Sequence, residues 1–169
     1  MVRRKQVLVV GSGKDHCTEV AYDTAYQVGL ELAKCGVTLI TGGLGGVMEA
    51  ASHGSKEGGG LVIGIIPQDD KRMANDYCDA VIATGIGFAR DFVTAYSADA
   101  VIVVGGGVGS LIELSAAYQN DIPIVALSGT GGIADQFAGQ YLDDRKVERV
   151  LHEDSAQAAV KRALSLIKE

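Results

Sequence analysis

Two glycine-rich segments of the 169-residue chain share the pattern GGxGxxxE. One runs from Gly42 to Glu49, and the other runs from Gly106 to Glu113. Each follows a short apolar run and precedes a segment with helical periodicity. Glycines let a backbone take positive φ and approach a ligand closely, and the free amides at a helix N-terminus bind anions. The pattern therefore predicts strand-to-helix loops that cradle a phosphate.

Side chains in these loops could add to such a site. Ser110 offers a hydroxyl to a phosphate oxygen, and Glu49 and Glu113 fall in the first turns of the two predicted helices. A Glu at this position also complements the helix dipole, so a structural role for either one stays open. The residues predicted to bind phosphate or nucleotide are Gly11, Ser12, Gly42, Gly43, Gly45, Gly46, Met48, Glu49, Gly106, Gly107, Gly109 and Ser110.

Arg90 is the cation that we single out. It lies at the start of a helix predicted over residues 88–97, where a positive charge is unfavourable beside the helix dipole. An Arg in this position often has a specific anionic partner. The alternative is a surface Arg that pairs with Asp91 or with solvent.

Several common sites are disfavoured. Neither glycine loop has the Gly-Lys-Ser/Thr of a phosphate-binding P-loop, and residues 11–14 lack the third glycine of a dinucleotide fingerprint. No acidic residue ends the second strand to hold an adenosine ribose, so NAD and FAD are weakly supported. His16, His53 and His152 are scattered, and we predict no metal site.

Strands alternate with helices along the whole chain, which predicts one α/β domain over residues 1–169. We expect a Rossmann-like, doubly wound, mostly parallel sheet with helices on both faces, and a ligand beyond the carboxyl ends of the strands. The segment 68–79 is polar and is either a lid or an exposed loop. Strands are predicted at 6–10, 37–40, 61–66, 80–83, 100–104, 122–127 and 147–151, and helices at 18–34, 47–56, 88–97, 108–120, 133–141 and 155–167.

Composition limits the function further. The net charge of −6 and the lack of a basic cluster beyond residues 3–5 disfavour a nucleic-acid partner. No apolar run is long enough for a signal peptide or a membrane span. Cys17, Cys35 and Cys78 form no paired motif, so we expect reduced, mostly buried thiols and a cytoplasmic protein.

The spacing of these residues resembles the Lonely Guy (LOG) family and its relatives, which include molybdenum-cofactor carrier proteins and proteins labelled lysine decarboxylases. That family has an Arg followed by PGGxGTxxE, together with an upstream GGxxGxM loop. Here the matching residues are Arg90, the sequence GGVGSLIE at 106–113, and GLGGVM at 43–48. The resemblance spans about residues 6–128.

The resemblance implies a phosphate on the second glycine loop, with the Arg and the Glu facing the ribose. In the family's enzymes these groups cleave the N-glycosidic bond of a nucleoside 5′-monophosphate, which releases the base and ribose 5-phosphate. Carried over, Glu113 would activate water or stabilise the oxocarbenium ion, and Arg90 would orient Glu113 and the ribose. The family also forms dimers or larger assemblies, so we expect a homo-oligomer, either a dimer or a tetramer.

Four positions depart from the enzymes' pattern. Gly105 replaces the Pro, Ser110 replaces the Thr, Asp91 replaces a Lys, and Glu49 stands where the enzymes have a small residue. These changes are similar to the branch that contains the cofactor carriers. They favour a binding or carrier protein for a nucleoside monophosphate or a molybdopterin-type cofactor, with no further cofactor required.

Two alternatives remain open, and one is rejected. The chain could be a nucleoside 5′-monophosphate phosphoribohydrolase that uses Arg90 and Glu113, or a regulatory scaffold with a vestigial site. Decarboxylation of lysine fits poorly, because it requires a Lys that forms a Schiff base with pyridoxal phosphate. The only Lys near a glycine loop is Lys14, which has no supporting motif.

Overall fold

A computed structural model describes residues 3–145 and 148–168. Seven parallel strands form one sheet in the order β4-β3-β2-β1-β5-β6-β7. The strands are β1 Gln6–Gly11, β2 Thr38–Thr41, β3 Leu61–Ile66, β4 Ala80–Ala83, β5 Ala100–Val104, β6 Ile124–Leu127 and β7 Leu151–Glu153. The helices are α1 Glu19–Lys34, α2 Val47–Glu57, α3 Arg90–Tyr96, α4 Val108–Gln119, α5 Gly132–Phe137 and α6 Ala156–Leu166.

Both faces of the sheet are covered by helices. Alternate residues of β1 belong to different cores: Val7 and Val9 pack on the face that holds α1, α2 and α6, whereas Leu8 and Val10 pack on the face that holds α3, α4 and α5. A parallel sheet buried on both faces needs uninterrupted apolar strands, which is what the runs of Val, Ile and Leu supply. The predicted doubly wound Rossmann-like fold is confirmed.

The strand order reverses between β1 and β5. From β1 the chain moves outward through β2, β3 and β4, then returns to the other side of β1 with β5 and continues through β6 and β7. The loops after β1 and β5 therefore leave the sheet toward opposite faces. In open α/β sheets, the crevice between two such loops is where ligands bind.

Four element boundaries were predicted wrongly. The helix predicted over 88–97 begins at Arg90, after a 3₁₀ turn at Gly87–Ala89. The strand predicted from 122 begins at 124, just after Pro123, which has no N–H to donate. The helix predicted to reach 141 ends at Phe137, because the chain turns at Gly139 with φ of 72°.

The last strand was also misplaced. It was predicted over 147–151 and is Leu151–Glu153. Arg149 forms an antiparallel bridge with Tyr141, and the Val150 N–H donates to the Gln140 carbonyl, so these residues are engaged before the strand begins. Residue 147 lies outside the described residues.

The cysteines were predicted to be mostly buried, which is wrong. Cys17 and Cys78 are half-buried, and Cys35 is exposed because it caps the C-terminal end of α1 at the protein surface. The sequence also predicted that the chain has no membrane span. Among the described residues, the helices are all too short or too polar to cross a bilayer.

Candidate functional site

A cavity of about 540 Å³ opens at the carboxyl ends of β1, β5 and β6. Its walls come from the loops that follow these strands, together with the start of α2, the turn before α3 and the first two turns of α4. The lining residues are Gly11, Ser12, Gly13, His16, Thr18, Leu44, Met48, Phe88, Arg90, Asp91, Gly106, Gly107, Val108, Gly109, Ser110, Glu113, Thr130, Gly131 and Gly132.

The second glycine loop forms the floor of this cavity. Gly105 and Gly106 take positive φ of 61° and 99°, which turns the chain from β5 into α4. The Gly106 N–H donates to Ser12 Oγ over 2.8 Å, and Ser110 Oγ donates to the Gly11 carbonyl over 3.1 Å. These two bonds join the end of β1 to the loop that follows β5.

The N-terminus of α4 points unsatisfied amides toward this space. The first hydrogen bond of the helix runs from the Leu111 N–H to the Gly107 carbonyl. The N–H groups of Val108, Gly109 and Ser110 precede it, so they have no acceptor within the helix. Together with the helix dipole, they provide positive potential without a cationic side chain.

A third glycine-containing loop, residues 128–132, closes the cavity behind the second one. Thr130 Oγ1 accepts from the Gly105 N–H over 2.9 Å and donates to the Leu127 carbonyl. Gly132, with φ of 54°, packs so closely that a Cβ there would lie 2.2 Å from the Gly106 carbonyl oxygen. This loop therefore fixes the height and shape of the second glycine loop.

The amides of the third loop are already occupied. The Asp135 carboxylate accepts from the Gly129 N–H over 2.7 Å and from the Gly131 N–H over 2.9 Å. An anion supplied by the chain itself thus fills the start of α5. Of the helix starts at this edge that border the second glycine loop, α4 is the one whose amides stay open to a ligand.

The first glycine loop supports the cavity from outside. A Cβ at Gly42 would lie 2.4 Å from Arg90 Nη1, so the guanidinium packs directly on this glycine. A Cβ at Gly46 would lie 2.4 Å from the Ser12 carbonyl oxygen, which accepts a hydrogen bond from the Val47 N–H. The loop therefore positions Arg90 and Ser12, both of which reach the cavity.

Three buried ionisable groups meet at the side of the cavity. Arg90 is 7% exposed, Asp91 is 2% exposed and Glu113 is 7% exposed. Arg90 Nε lies 3.1 Å from Asp91 Oδ1, but its N–H is not directed at that oxygen and makes no hydrogen bond. Arg90 is thus a buried cation paired with Asp91, so the alternative was right about this partner and wrong in placing Arg90 at the surface.

Burial raises the pKa of Glu113 from an ordinary 4.5 to about 8; the Arg90 charge lowers this pKa and the Asp91 charge raises it. Burial also raises the pKa of Asp91, and the Arg90 charge acts against that rise. At neutral pH Glu113 therefore holds its proton, while Asp91 and Arg90 form the charged pair. A protonated carboxyl in a cavity can donate a hydrogen bond or a proton.

The structure brings most of the predicted residues together. Those that line the cavity are Gly11, Ser12, Met48, Arg90, Gly106, Gly107, Gly109, Ser110 and Glu113. Those that lie outside its lining are Gly42, Gly43, Gly45, Gly46 and Glu49, and contact between them and a ligand stays a prediction. Glu49 is half-buried, with Oε2 3.6 Å from where a Cβ of Gly45 would lie.

Sequence reasoning missed several lining residues, of which Thr130, Gly131, Gly132, Phe88 and Asp91 matter most. The sequence SGTGG at 128–132, placed after an apolar strand, was the signal for three of them. The segment 68–79 contributes no lining residue. It is tied to the first glycine loop through the Asn75 N–H to the Gly43 carbonyl and Asn75 Nδ2 to the Leu44 carbonyl.

No group of three or more His, Cys, Asp or Glu side chains within residues 3–145 and 148–168 is arranged to hold a metal ion.

The sequence pattern of the SLOG cluster4 family matches residues 4–160. The chain belongs to this family. The SLOG cluster4 match covers both glycine loops, Arg90 and Glu113, so it contains every residue on which the resemblance to LOG and the molybdenum-cofactor carriers depends. That resemblance is confirmed.

Solved structures agree with the SLOG cluster4 assignment. A molybdenum cofactor binding protein from Rippkaea orientalis has a TM-score of 0.88 and 32% identity, covering 99% of this chain and 100% of that one. The molybdenum cofactor carrier protein of Chlamydomonas reinhardtii has a TM-score of 0.84 and 32% identity, with the same coverage of 99% and 100%.

A more similar sequence occurs in Archaeoglobus fulgidus. This uncharacterized protein is 48% identical over 101 residues, which is 60% of this chain. The match spans 65% of that protein's length, slightly under two thirds.

Proposed function

We propose that this chain binds a phosphorylated, nucleotide-like ligand, and that it serves as a binding or carrier protein for a molybdopterin-type cofactor. The observation that carries the proposal is the start of α4. Three unsatisfied amides, from Val108, Gly109 and Ser110, adjoin a cavity of about 540 Å³, which lies in the usual size range of small-molecule sites.

Two further observations support it. Arg90 is the one Lys or Arg among the cavity's lining residues, so an anion here depends on backbone amides and one buried guanidinium. The Rippkaea and Chlamydomonas proteins, named for binding or carrying the molybdenum cofactor, share the fold at 32% identity over nearly the whole chain. The cofactor would be cargo, held as a phosphorylated pterin.

The test removes one amide without disturbing the helix. Val108 is the first residue of α4, where proline is tolerated and its missing N–H costs no intrahelical bond. Val108→Pro is expected to weaken binding of GMP and inorganic phosphate about tenfold, the loss of ~1.4 kcal/mol. Affinities would be measured by calorimetry, with thermal shift as a second readout.

Two control variants make this result specific. Ala156→Pro places the same residue at the first position of α6, away from the cavity, and should leave affinity unchanged. Val108→Ala removes the side chain and keeps the amide, so it should bind like wild type. Equal binding by Val108→Pro and wild type would reject the amide cradle. If neither GMP nor inorganic phosphate raises the melting temperature of wild type in a saturable way, a regulatory scaffold becomes the better description of the chain.

A phosphoribohydrolase is the second candidate, favoured by one observation. Glu113 is buried in the cavity beside Arg90, and its pKa of about 8 makes it a candidate proton donor. The assay is release of free base from AMP and GMP, read by chromatography. Release that disappears in Glu113→Gln, with phosphate binding intact, would identify the enzyme. If wild type releases no free base, the binding or carrier function remains and the enzyme is rejected.

We also infer that the protein is a homo-oligomer assembled through α3. Phe92, Val93 and Tyr96 are exposed on this helix, and the apolar surface continues to Phe88 and Val108 at the cavity mouth. The charged residues of α3 and α4 are all buried, so this face carries no exposed charge that would oppose a second copy.

Light scattering at low and high protein concentration tests this assembly. Wild type should be a dimer or a tetramer, and Phe92→Asp with Tyr96→Asp should give monomers. Val20→Asp is the matched control, because Val20 is equally exposed on α1 on the other side of the sheet. A monomeric wild type would reject the inference.

The proposal includes a small-molecule partner and a cytoplasmic location. A net charge of −6 disfavours nucleic acid, because such proteins usually carry a basic surface. The three unpaired thiols suit a reducing compartment. Gel-shift assays with single-stranded DNA and RNA would show no retention at physiological salt.

A further inference from the structure

We propose that Asp91 selects the heterocycle of the ligand, by accepting hydrogen bonds from the N–H groups of a 2-amino-4-oxopyrimidine ring such as that of guanine or a pterin. This inference rests on the proposed function, because it concerns the same cavity. It goes further in naming the part of the ligand that Asp91 recognises and the residue that distinguishes one base from another.

The Asp91 side chain is buried beside Arg90, and its carboxylate has no hydrogen-bond donor among the described residues. Oδ1 lies 3.1 Å from Arg90 Nε without a hydrogen bond, and neither carboxylate oxygen accepts a hydrogen bond from a described residue. Asp91 is 2% exposed and lines the cavity, and Oδ2 lies 4.0 Å from where a Cβ of Gly109 would be. A carboxylate that faces a cavity without a donor from the protein takes its hydrogen bonds from whatever fills the cavity, so a ligand donor is its natural partner.

The charge of Asp91 determines which part of the ligand it can meet. A phosphate placed against this carboxylate would be repelled, so the phosphate belongs with the amides of α4 and a hydrogen-bond donor belongs with Asp91. The 2-amino-4-oxopyrimidine ring presents adjacent ring N–H and amino N–H groups, a pattern that matches the acceptors of a carboxylate. Adenine has no ring N–H at this edge.

The walls near Asp91 suit a flat ring. Phe88 lies three residues before Asp91 and lines the cavity, although it is 77% exposed. Met48 and Leu44, from the other side, also line it. An aromatic ring and a thioether form stacking surfaces for a heterocycle whose edge is held by hydrogen bonds.

The experiment varies the base and keeps the ribose 5-phosphate constant. Dissociation constants for GMP, IMP and AMP are measured by calorimetry at pH 7. IMP differs from GMP only by the missing amino group, so we expect GMP to bind about tenfold more tightly than IMP, and AMP to bind most weakly. Asp91→Asn should reduce the ratio of GMP to IMP affinity to about two, because its amide replaces an acceptor with a donor.

Asp23→Asn is the matched control, since it makes the same charge change on the exposed side of α1. It should keep the full preference for GMP. Thermal melts of both variants establish that each is folded, and the comparison of GMP with IMP in wild type needs no variant at all.

The outcomes separate this inference from the proposed function. Equal affinity of wild type for GMP, IMP and AMP would overturn the role of Asp91 and leave phosphate binding in place. A GMP preference that survives Asp91→Asn would also overturn it. If none of the three nucleotides binds and inorganic phosphate does not bind either, the proposed function itself fails.

Discussion

The two GGxGxxxE loops have the same pattern and different surroundings. In the loop at 42–49, the glycines are packed against protein: Gly46 against the Ser12 carbonyl and Gly42 against the Arg90 guanidinium. In the loop at 106–113, Gly107 has no atom within 4 Å of its Cβ position, and the loop lines the cavity. Gly106 of this loop is also packed, with its Cβ position 2.7 Å from Ser110 Oγ, so the open approach to a ligand is found at Gly107 and has no counterpart at Gly42 or Gly46.

The two loops show two different reasons for a glycine at a given position. Where a backbone or a buried side chain fills the space of a Cβ, glycine is required for folding. Where that space is open, glycine is required only if a ligand enters. Two glycine substitutions test this division directly, and two others test side chains of the second loop and its support; the four are given from the largest expected effect to the smallest.

Gly46→Ala should be the most damaging change. Gly46 has φ of 72°, and a Cβ there would lie 2.4 Å from the Ser12 carbonyl oxygen and 2.7 Å from the Gly13 carbonyl carbon. We expect a loss of about 3 kcal/mol in the free energy of unfolding, because the clash is with backbone that cannot rotate away. Urea unfolding measures it, and a loss below about 1 kcal/mol would contradict the packing role.

Glu113→Gln should change how stability depends on pH. Because the folded pKa of Glu113 is about 8 and the ordinary value is 4.5, the folded state holds a proton between these values that the unfolded state has released. The contribution of Glu113 to the free energy of unfolding should therefore be fullest below pH 4.5 and fall by a few kcal/mol as the pH rises to 8.

The variant lacks this titration. Its stability relative to wild type should increase from pH 5 to pH 8, as read from urea midpoints at both values. A difference between the two proteins that stays constant across this range would mean that Glu113 titrates normally, and it would remove the main argument for a proton donor in the cavity.

Ser12→Ala breaks a connection between the two loops. The Ser12 hydroxyl accepts a hydrogen bond from the Gly106 N–H, and the Ser12 carbonyl accepts one from the Val47 N–H. The substitution removes the first of these bonds and keeps the second. We expect a cost of about 1 kcal/mol and weaker phosphate binding, because the second loop loses its anchor. Ser115→Ala, on the exposed side of α4, is the control and should change neither quantity by a measurable amount.

Gly107→Ala should have the smallest effect on folding. Its φ is −133°, which any residue adopts, and its Cβ position is open. The free energy of unfolding should stay within about 0.5 kcal/mol of wild type. Calorimetry with GMP would then show whether the added methyl obstructs the ligand. A large loss of stability here would end the distinction between the two loops.

The fold could be predicted from the sequence because its signals are local. Apolar runs such as 100–104 define buried strands, and Ser155, at the start of the predicted last helix, caps α6 with its hydroxyl accepting from the Ala158 N–H. The boundaries that failed depend on single backbone features, such as Pro123 and Gly139. Periodicity does not detect these features because it averages over a window of residues.

The site could be predicted only in part. Arg90, Ser110 and Glu113 were found because their types and spacing match a family. The rest depends on contacts between residues far apart in sequence, which no local pattern contains. These are the packing of Arg90 on Gly42, the hydrogen bond from Gly105 to Thr130 and the burial of Asp91 in the cavity wall. The same limit applies to the two loops, which are alike in sequence and differ in neighbours.

The hydrogen bond between the Gly106 N–H and Ser12 Oγ has a consequence for folding. Its partners are 94 residues apart, and the nearby bond from Ser110 to Gly11 spans 99. Contacts of such long sequence separation are slow to form, because the chain entropy lost in closing a long loop must be overcome before the contact adds stability. The floor of the cavity therefore requires residues from both ends of this stretch, and a chain still being synthesised cannot complete the site until the loop after β5 has emerged and joined the end of β1.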